Sequence, residues 1–268
     1  MKKLYFFYLF SIVFILFSCS SDDSSSSNTT PTAHFPLTNG NYWTYDIETT
    51  INDVITPGRD SLYVNGDIVI SGNVHKKMET LALPNGFFSS TIRNNGLRVD
   101  GSSVKLSGTA SYDVGLGSPI NLDINDFIIF KEGASSNELL STMNGSFSQT
   151  VSGYPLDFTY ILNSINSEQL ATFTSPNGDV YTDVIKTKIV LNLKITTTQV
   201  FAGFPVTINV LAPQDVITSY QYYSKNIGMV YTETQIAYTL NSIPGVTLPI
   251  PSTGSQMQEE FLDIYDIN

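Results

Sequence analysis

Six Asn-Gly pairs punctuate this chain: Asn39-Gly40, Asn65-Gly66, Asn85-Gly86, Asn95-Gly96, Asn144-Gly145 and Asn177-Gly178. Both residues tolerate the positive φ of a type I′ turn, so the pair is the strongest short-range signal for a hairpin, and about four of the six are expected to be tight turns. Asp60–Ile70 reads as a hairpin folded at Asn65-Gly66, and Phe87–Val99 as another folded at Asn95-Gly96.

Between such turns the apolar residues alternate. In Thr187–Thr197, Ile189, Leu191, Leu193 and Ile195 point one way, and Lys188, Asn192 and Lys194 the other. That period of two marks a strand with one buried face. Ala202-Gly203 allows a reversal into Pro205–Leu211, where Val206, Ile208 and Val210 alternate with Thr207 and Asn209. Tyr220–Tyr223 and Met229–Leu240 form the next pair, around Lys225–Gly228. Ser242–Gly254, with Pro244, Pro249 and Pro251, reads as a surface loop before a last strand, Gln256–Ile264. No stretch sustains a 3.6-residue stripe, and the best helix candidates, Asn121–Phe130 and Ser135–Ser141, are short. The expected fold is all-β and antiparallel: a curved sheet, a sandwich or a partly open barrel, with at most short helices.

Charged residues are 14% of the chain, so Ser, Thr, Asn and Gln must build much of its surface. Such a composition argues against a coiled coil or a helical bundle. The formal charge is −11, and beyond Lys2-Lys3 the only adjacent basic pair is Lys76-Lys77. Nucleic acid and anionic lipid head groups are therefore poor partners.

The amino terminus carries an address. Lys2 and Lys3 precede Leu4–Phe17, which is almost wholly apolar and broken only by Ser11. That run is short of the roughly 20 residues a membrane-spanning helix needs. It matches the apolar core of a secretory signal. Cys19, the only cysteine, follows at once, in Leu16-Phe17-Ser18-Cys19. This pattern resembles the lipobox of bacterial lipoproteins, with Phe17 where a small residue is more common. The resemblance implies a signal peptide over 1–18, cleavage before Cys19, and acylation of its sulfur and new amino terminus. It makes the membrane a partner through lipid. Loss of Lys2 and Lys3 would take the formal charge to −13. Residues 19–33 read as a disordered tether, because Ser20–Thr32, rich in Ser and Asp, lacks apolar residues to bury. Residues 34–268 read as a single all-β domain. Asp22-Asp23 resembles the acidic export signal of Bacteroidota surface lipoproteins. It implies the lipoprotein processing and export machinery as partners, and an outer-membrane anchor facing the cell surface. A periplasm-facing anchor is the alternative.

Two further segments carry a resemblance. Phe35–Tyr45, read as Phe35-Pro36-Leu37-Thr38-Asn39-Gly40-Asn41-Tyr42-Trp43-Thr44-Tyr45, resembles the opening "PL-x-x-G-N-x-W-x-Y" of uncharacterised exported β-rich lipoproteins of Bacteroidota. Tyr222–Val230 resembles their "Y-A-K-G-V-G-L-V" segment, with Asn226 in place of the first glycine and Tyr222 where tryptophan is often seen. Asp179–Lys186 is similar to the strand that precedes it. The resemblance implies an exported antiparallel β domain and no particular activity.

Chemical motifs are sparse. Two histidines, His34 and His75, are too few for a His-based zinc site. An acylated Cys19 leaves no thiol nucleophile. A Ser-His-Asp triad would have to use His75, and no Gly-x-Ser-x-Gly occurs. Asp123 and Asp126 hint at calcium but lack the EF-hand spacing and glycine. Asp179 and Asp183 could share a strand face, and a glycosidase needs two carboxyls about 5–9 Å apart. No catalytic, metal or cofactor site is assigned. Trp43, Tyr220 and Tyr222 are the candidate ligand-stacking residues; core or cross-strand packing is the competing role for each. The sequence thus points to an envelope lipoprotein that binds a glycan, a peptide or an apolar ligand without catalysis. A structural or assembly protein acting through protein contacts is the alternative, and a carboxylate-based hydrolase ranks below both.

Overall fold

A computed structural model describes residues 33–115, 119–151, 153–242 and 250–268. The first half holds β1 (Tyr42–Ile51), β2 (Val54–Ile70), β3 (Asn73–Thr80), α1 (Phe87–Ile92), β4 (Gly96–Asp100), β5 (Ser103–Tyr112) and β6 (Ile120–Lys131). The second holds β7 (Leu139–Val151), β8 (Tyr154–Thr174), β9 (Val180–Phe201), β10 (Phe204–Ser224), β11 (Gly228–Thr239) and β12 (Thr253–Asp266). Each half is an antiparallel meander, and β12 returns to pair with β1. The result is one 12-stranded sheet whose edges are β6 and β7. These edges approach each other without pairing, so the sheet forms a barrel open along one seam. Bulges at Thr44/Tyr45, Val64/Asp67, Leu106/Gly108 and Leu211/Gln214 bend the strands toward closure.

The alternation of Thr187–Thr197 is realised in β9: Ile189, Leu191, Leu193 and Ile195 are buried, and Lys188, Asn192 and Lys194 are not. The Ala202-Gly203 reversal, the turn before Gly228 and the final strand also stand as expected. The Asn-Gly pairs do not. Only Asn39-Gly40 and Asn177-Gly178 lie in turns. Asn65-Gly66 is a bulge inside β2, where Gly66 has φ 71° and donates its N–H to Asn39 Oδ1. A bulge uses the positive φ of glycine as readily as a turn does. Asn144-Gly145 lies inside β7, where the absent side chain makes room for the ring of Tyr160 opposite. Asn85-Gly86 and Asn95-Gly96 flank α1, so Phe87–Val99 is a helix and a strand rather than a hairpin. Asn121–Phe130 is strand β6, with Leu122 and Ile124 buried between exposed Asn121, Asp123 and Asn125. Ser135–Ser141 is a turn entering β7. Of the loop read over Ser242–Gly254, residues 243–249 lie outside the described residues, and β12 already begins at Thr253.

The barrel interior is filled. Phe35, before β1, packs on Phe130 of β6 and Tyr223 of β10 at ring distances of 5.3 and 4.6 Å. Phe88 of α1 meets Tyr45 and the same Tyr223. Five rings from both meanders therefore join inside, and the two interior cavities lining this core are only about 20 Å³ each.

Phe35–Tyr45 and Tyr222–Val230, far apart in the sequence, are neighbours here. Trp43 Nε1 donates to Ile227 O at 2.6 Å, Tyr45 Oη donates to Met229 O at 3.2 Å, and Asn226 N donates to Ala33 O at 2.6 Å. Asn226 has φ 63°, a left-handed conformation that asparagine tolerates better than most residues. Gly228 has φ 105°, and a side chain there would begin 3.2 Å from Trp43 Nε1. Gly228→Ala is expected to strain the backbone and displace the indole, at a cost of about 2 kcal/mol in a denaturant titration. An unchanged midpoint would show that this contact adds nothing to stability.

Candidate functional site

Two large clefts open at opposite ends of the barrel. The first, of about 610 Å³, lies on the inner face at the end marked by the β1–β2 turn. Its apolar floor includes Phe87, Tyr112, Ile217, Ile236 and Tyr238. Phe87 stacks on Tyr112 with ring centroids 5.5 Å apart. Burial pushes the Tyr112 hydroxyl well above its ordinary value, so it stays protonated. Tyr238 donates to Gly115 O at 3.3 Å and so joins the end of β11 to the segment after β5. Gly254 lets β12 pass close to that ring: a side chain there would begin 2.4 Å from it.

Polar groups complete the wall. Gln258 is committed: its Oε1 accepts from Phe87 N, and its Nε2 donates to Thr49 Oγ1 and Asn85 O. Asn52, Ser90 and Gln256 also line the cleft, and their side chains make no hydrogen bond within the described residues. Asp113 is the one charged residue among the described lining residues.

The second cleft, of about 580 Å³, lies where residue 33 enters. Its charges are already paired: Lys76 with Asp67 at 2.5 Å, and Arg98 with Asp126 at 2.8 Å. His75 is buried there, its Nδ1 bonded to Asn73 O at 3.0 Å and its Nε2 3.8 Å from Asp126.

The floor of the first cleft depends on α1, and α1 depends on other elements. Phe-Phe-Ser-Ser-Thr-Ile is a poor helix by composition. Its first N–H groups are satisfied from outside. Asp60 of β2 accepts from Asn85 N and Gly86 N at 2.8 and 2.7 Å. Glu260 of β12 accepts from Phe88 N at 2.6 Å. Both carboxyls are buried, and both lie within 3.0 Å of the point where a Gly86 side chain would begin. Burial, and then the Asp60 charge, push the Glu260 carboxyl up to about 7. This is the convergent acid pair that sequence reading missed: the two residues are 200 positions apart and no local pattern links them. The pair clamps a helix end and does not line either cleft.

Of the anticipated stacking residues, Tyr220 and Tyr222 share a face and Trp43 lies apart from them. Trp43 is buried inside at 4% exposure. Tyr220 and Tyr222 lie on the outer face of β10, on the side opposite buried Tyr223. Tyr222 is covered by Phe173, with ring centroids 4.2 Å apart, and by Tyr231. Lys186 lies over both Tyr220 and Tyr222. Asp179 and Asp183 are exposed, the first in the β8–β9 turn and the second in β9. Asp123 accepts from Thr109 Oγ1, and Asp126 pairs with Arg98. Cys19, Asp22 and Asp23 lie outside the described residues. No described helix is long and apolar enough to cross a membrane, and no group of three or more potential metal ligands occurs among the described residues.

No family model, no curated protein and no solved structure matches this chain.

Proposed function

We propose that this protein is a lipid-anchored lipoprotein of the bacterial outer membrane that binds a small ligand, without catalysis, at the mouth of its barrel. The single observation that supports the binding role is the first cleft. Its size falls within the range of small-molecule sites, and it joins an apolar floor to convergent polar groups. The second cleft is less suited, because its charges already satisfy one another. The packed interior limits a carrier role to the mouth, since it leaves no room for a ligand within the core.

The anchor reading rests on Cys19 and the apolar run before it. Two acyl chains hold a protein stably on a membrane, where one gives only marginal binding. Cys19→Ser is expected to move the protein from the membrane fraction to the soluble fraction, with an unchanged circular dichroism spectrum. Continued sedimentation with membranes, without acyl incorporation, would remove the anchor.

A second reading, assembly through protein contacts, is favoured by apolar side chains at two hairpin ends. Val54 and Ile55 of the β1–β2 hairpin are 65% and 58% exposed, and Val200 and Phe204 of the β9–β10 hairpin are 70% and 73% exposed. Exposed apolar patches of this kind mark contact sites. Phe204→Asp separates the two readings. It leaves ligand retention intact if the mouth is the working site, and it disperses a complex in cross-linked envelopes if the hairpin is.

A further inference from the structure

We propose that the mouth cleft takes a neutral saccharide, an inference that rests on the binding role given to that cleft. The charge of the site narrows the ligand first. Among the described residues no Lys, Arg or His lines the cleft, and its one charged lining residue is the acidic Asp113. An anionic ligand would meet no counter-charge there, against a chain of net charge −11. This disfavours phosphates, fatty carboxylates and acidic sugars.

The hydrogen-bonding groups narrow it further. An apolar ligand would leave the amides of Asn52 and Gln256 and the hydroxyl of Ser90 without partners once it displaced water from them. A desolvated, unpaired polar group is unfavourable by about 1–3 kcal/mol. A sugar supplies hydroxyls that both donate and accept, and so matches amides and hydroxyls alike. Sugar rings also carry apolar C–H faces. The half-buried ring of Phe87, held by Tyr112 behind it, offers such a face a flat surface beside these polar groups. An apolar floor with uncommitted neutral polar groups and no basic residue is the chemistry of an uncharged, hydroxyl-rich ring.

The test uses the full lipid-anchored protein in nanodiscs. Maltotriose, cellotriose and β-1,4-galactotriose are the neutral probes, trigalacturonate is the acidic probe, and Nile red is the apolar probe. Saturation-transfer NMR reads binding. At least one neutral trisaccharide is expected to bind saturably, and neither trigalacturonate nor Nile red is expected to occupy the cleft. Gln256→Ala should weaken the neutral probe about fivefold to tenfold, the loss of one hydrogen bond. Asn52→Gly, which keeps the left-handed φ of the turn, should weaken it as well. If Nile red binds in a way that Gln256→Trp abolishes and no trisaccharide competes, the saccharide inference is overturned and the cleft-binding role stands. If neither class of probe occupies the cleft, both are overturned.

Discussion

Tyr223→Ala is expected to destabilise the protein by about 4 kcal/mol, in the range measured when a large aromatic residue is removed from a core. Tyr223 is fully buried and touches Phe35, Phe88 and Phe130. Those rings come from the segment before β1, from α1 and from β6, so one side chain ties both meanders to the material that fills the barrel. Its hydroxyl donates to Gln221 Oε1 at 2.6 Å, which leaves a buried acceptor unpaired after truncation. Tyr220→Ala is the control: it lies on the outer face of the same strand and should cost about 1 kcal/mol or less. Equal shifts in the denaturant midpoints of the two variants would contradict the filled interior.

The second large effect is a pH dependence centred on Glu260. Its folded-state value of about 7 lies above the ordinary glutamate value of 4.5. The folded protein therefore holds this proton more tightly than the unfolded chain does. Stability from this group is highest at low pH, begins to fall as pH rises past 4.5, and is lost by the time pH exceeds 7. A difference of this size corresponds to about 3 kcal/mol. Glu260→Gln keeps an oxygen to accept from Phe88 N and removes the ionisation. The wild-type protein should thus lose about 3 kcal/mol more than the variant between pH 4.5 and pH 8. Because both proteins share every other acid, their difference isolates this one. Parallel pH profiles would show that Glu260 ionises in the folded state as freely as in water.

The strands were largely legible in the sequence because one face of each is buried and the other is not. Ile189, Leu191, Leu193 and Ile195 announce β9 through their period alone, and Trp43 and Tyr45 announce the inner face of β1. The same rule applies to Leu122 and Ile124 of β6, within the Asn121–Phe130 stretch that stands as a helix candidate in the sequence. Turn positions were less legible, because Asn-Gly reports a tolerance for positive φ and not its use. The protein uses that tolerance in a bulge at Gly66, whereas Gly145 sits in ordinary strand backbone and serves only to leave room for a tyrosine ring. True reversals occur at Asn52-Asp53 and Ser71-Gly72, with φ of 50° and 62° in the first and 50° and 81° in the second.

Helix α1 was not legible at all. Nothing in Phe87–Ile92 favours a helix, and the groups that stabilise its first turn arrive from Asp60, Gln258 and Glu260. The mouth cleft shares this property. Asn52, Phe87, Gln256 and Tyr238 belong to four different elements, and closure of β12 onto β1 brings them together. By contrast, Phe35–Tyr45 and Tyr222–Val230 stand out in the sequence, and they meet where β1 faces the β10–β11 turn, away from the mouth cleft.

Native mass spectrometry of the full protein, purified gently from the cells that make it, tests most directly whether the barrel mouth holds a ligand. It should be run on the wild type and on Gln256→Trp, which fills the cleft from the inner face of β12. The expected result is an added mass on the wild type that is absent from the variant. An added mass carried equally by both, or by neither, would contradict a ligand at the mouth.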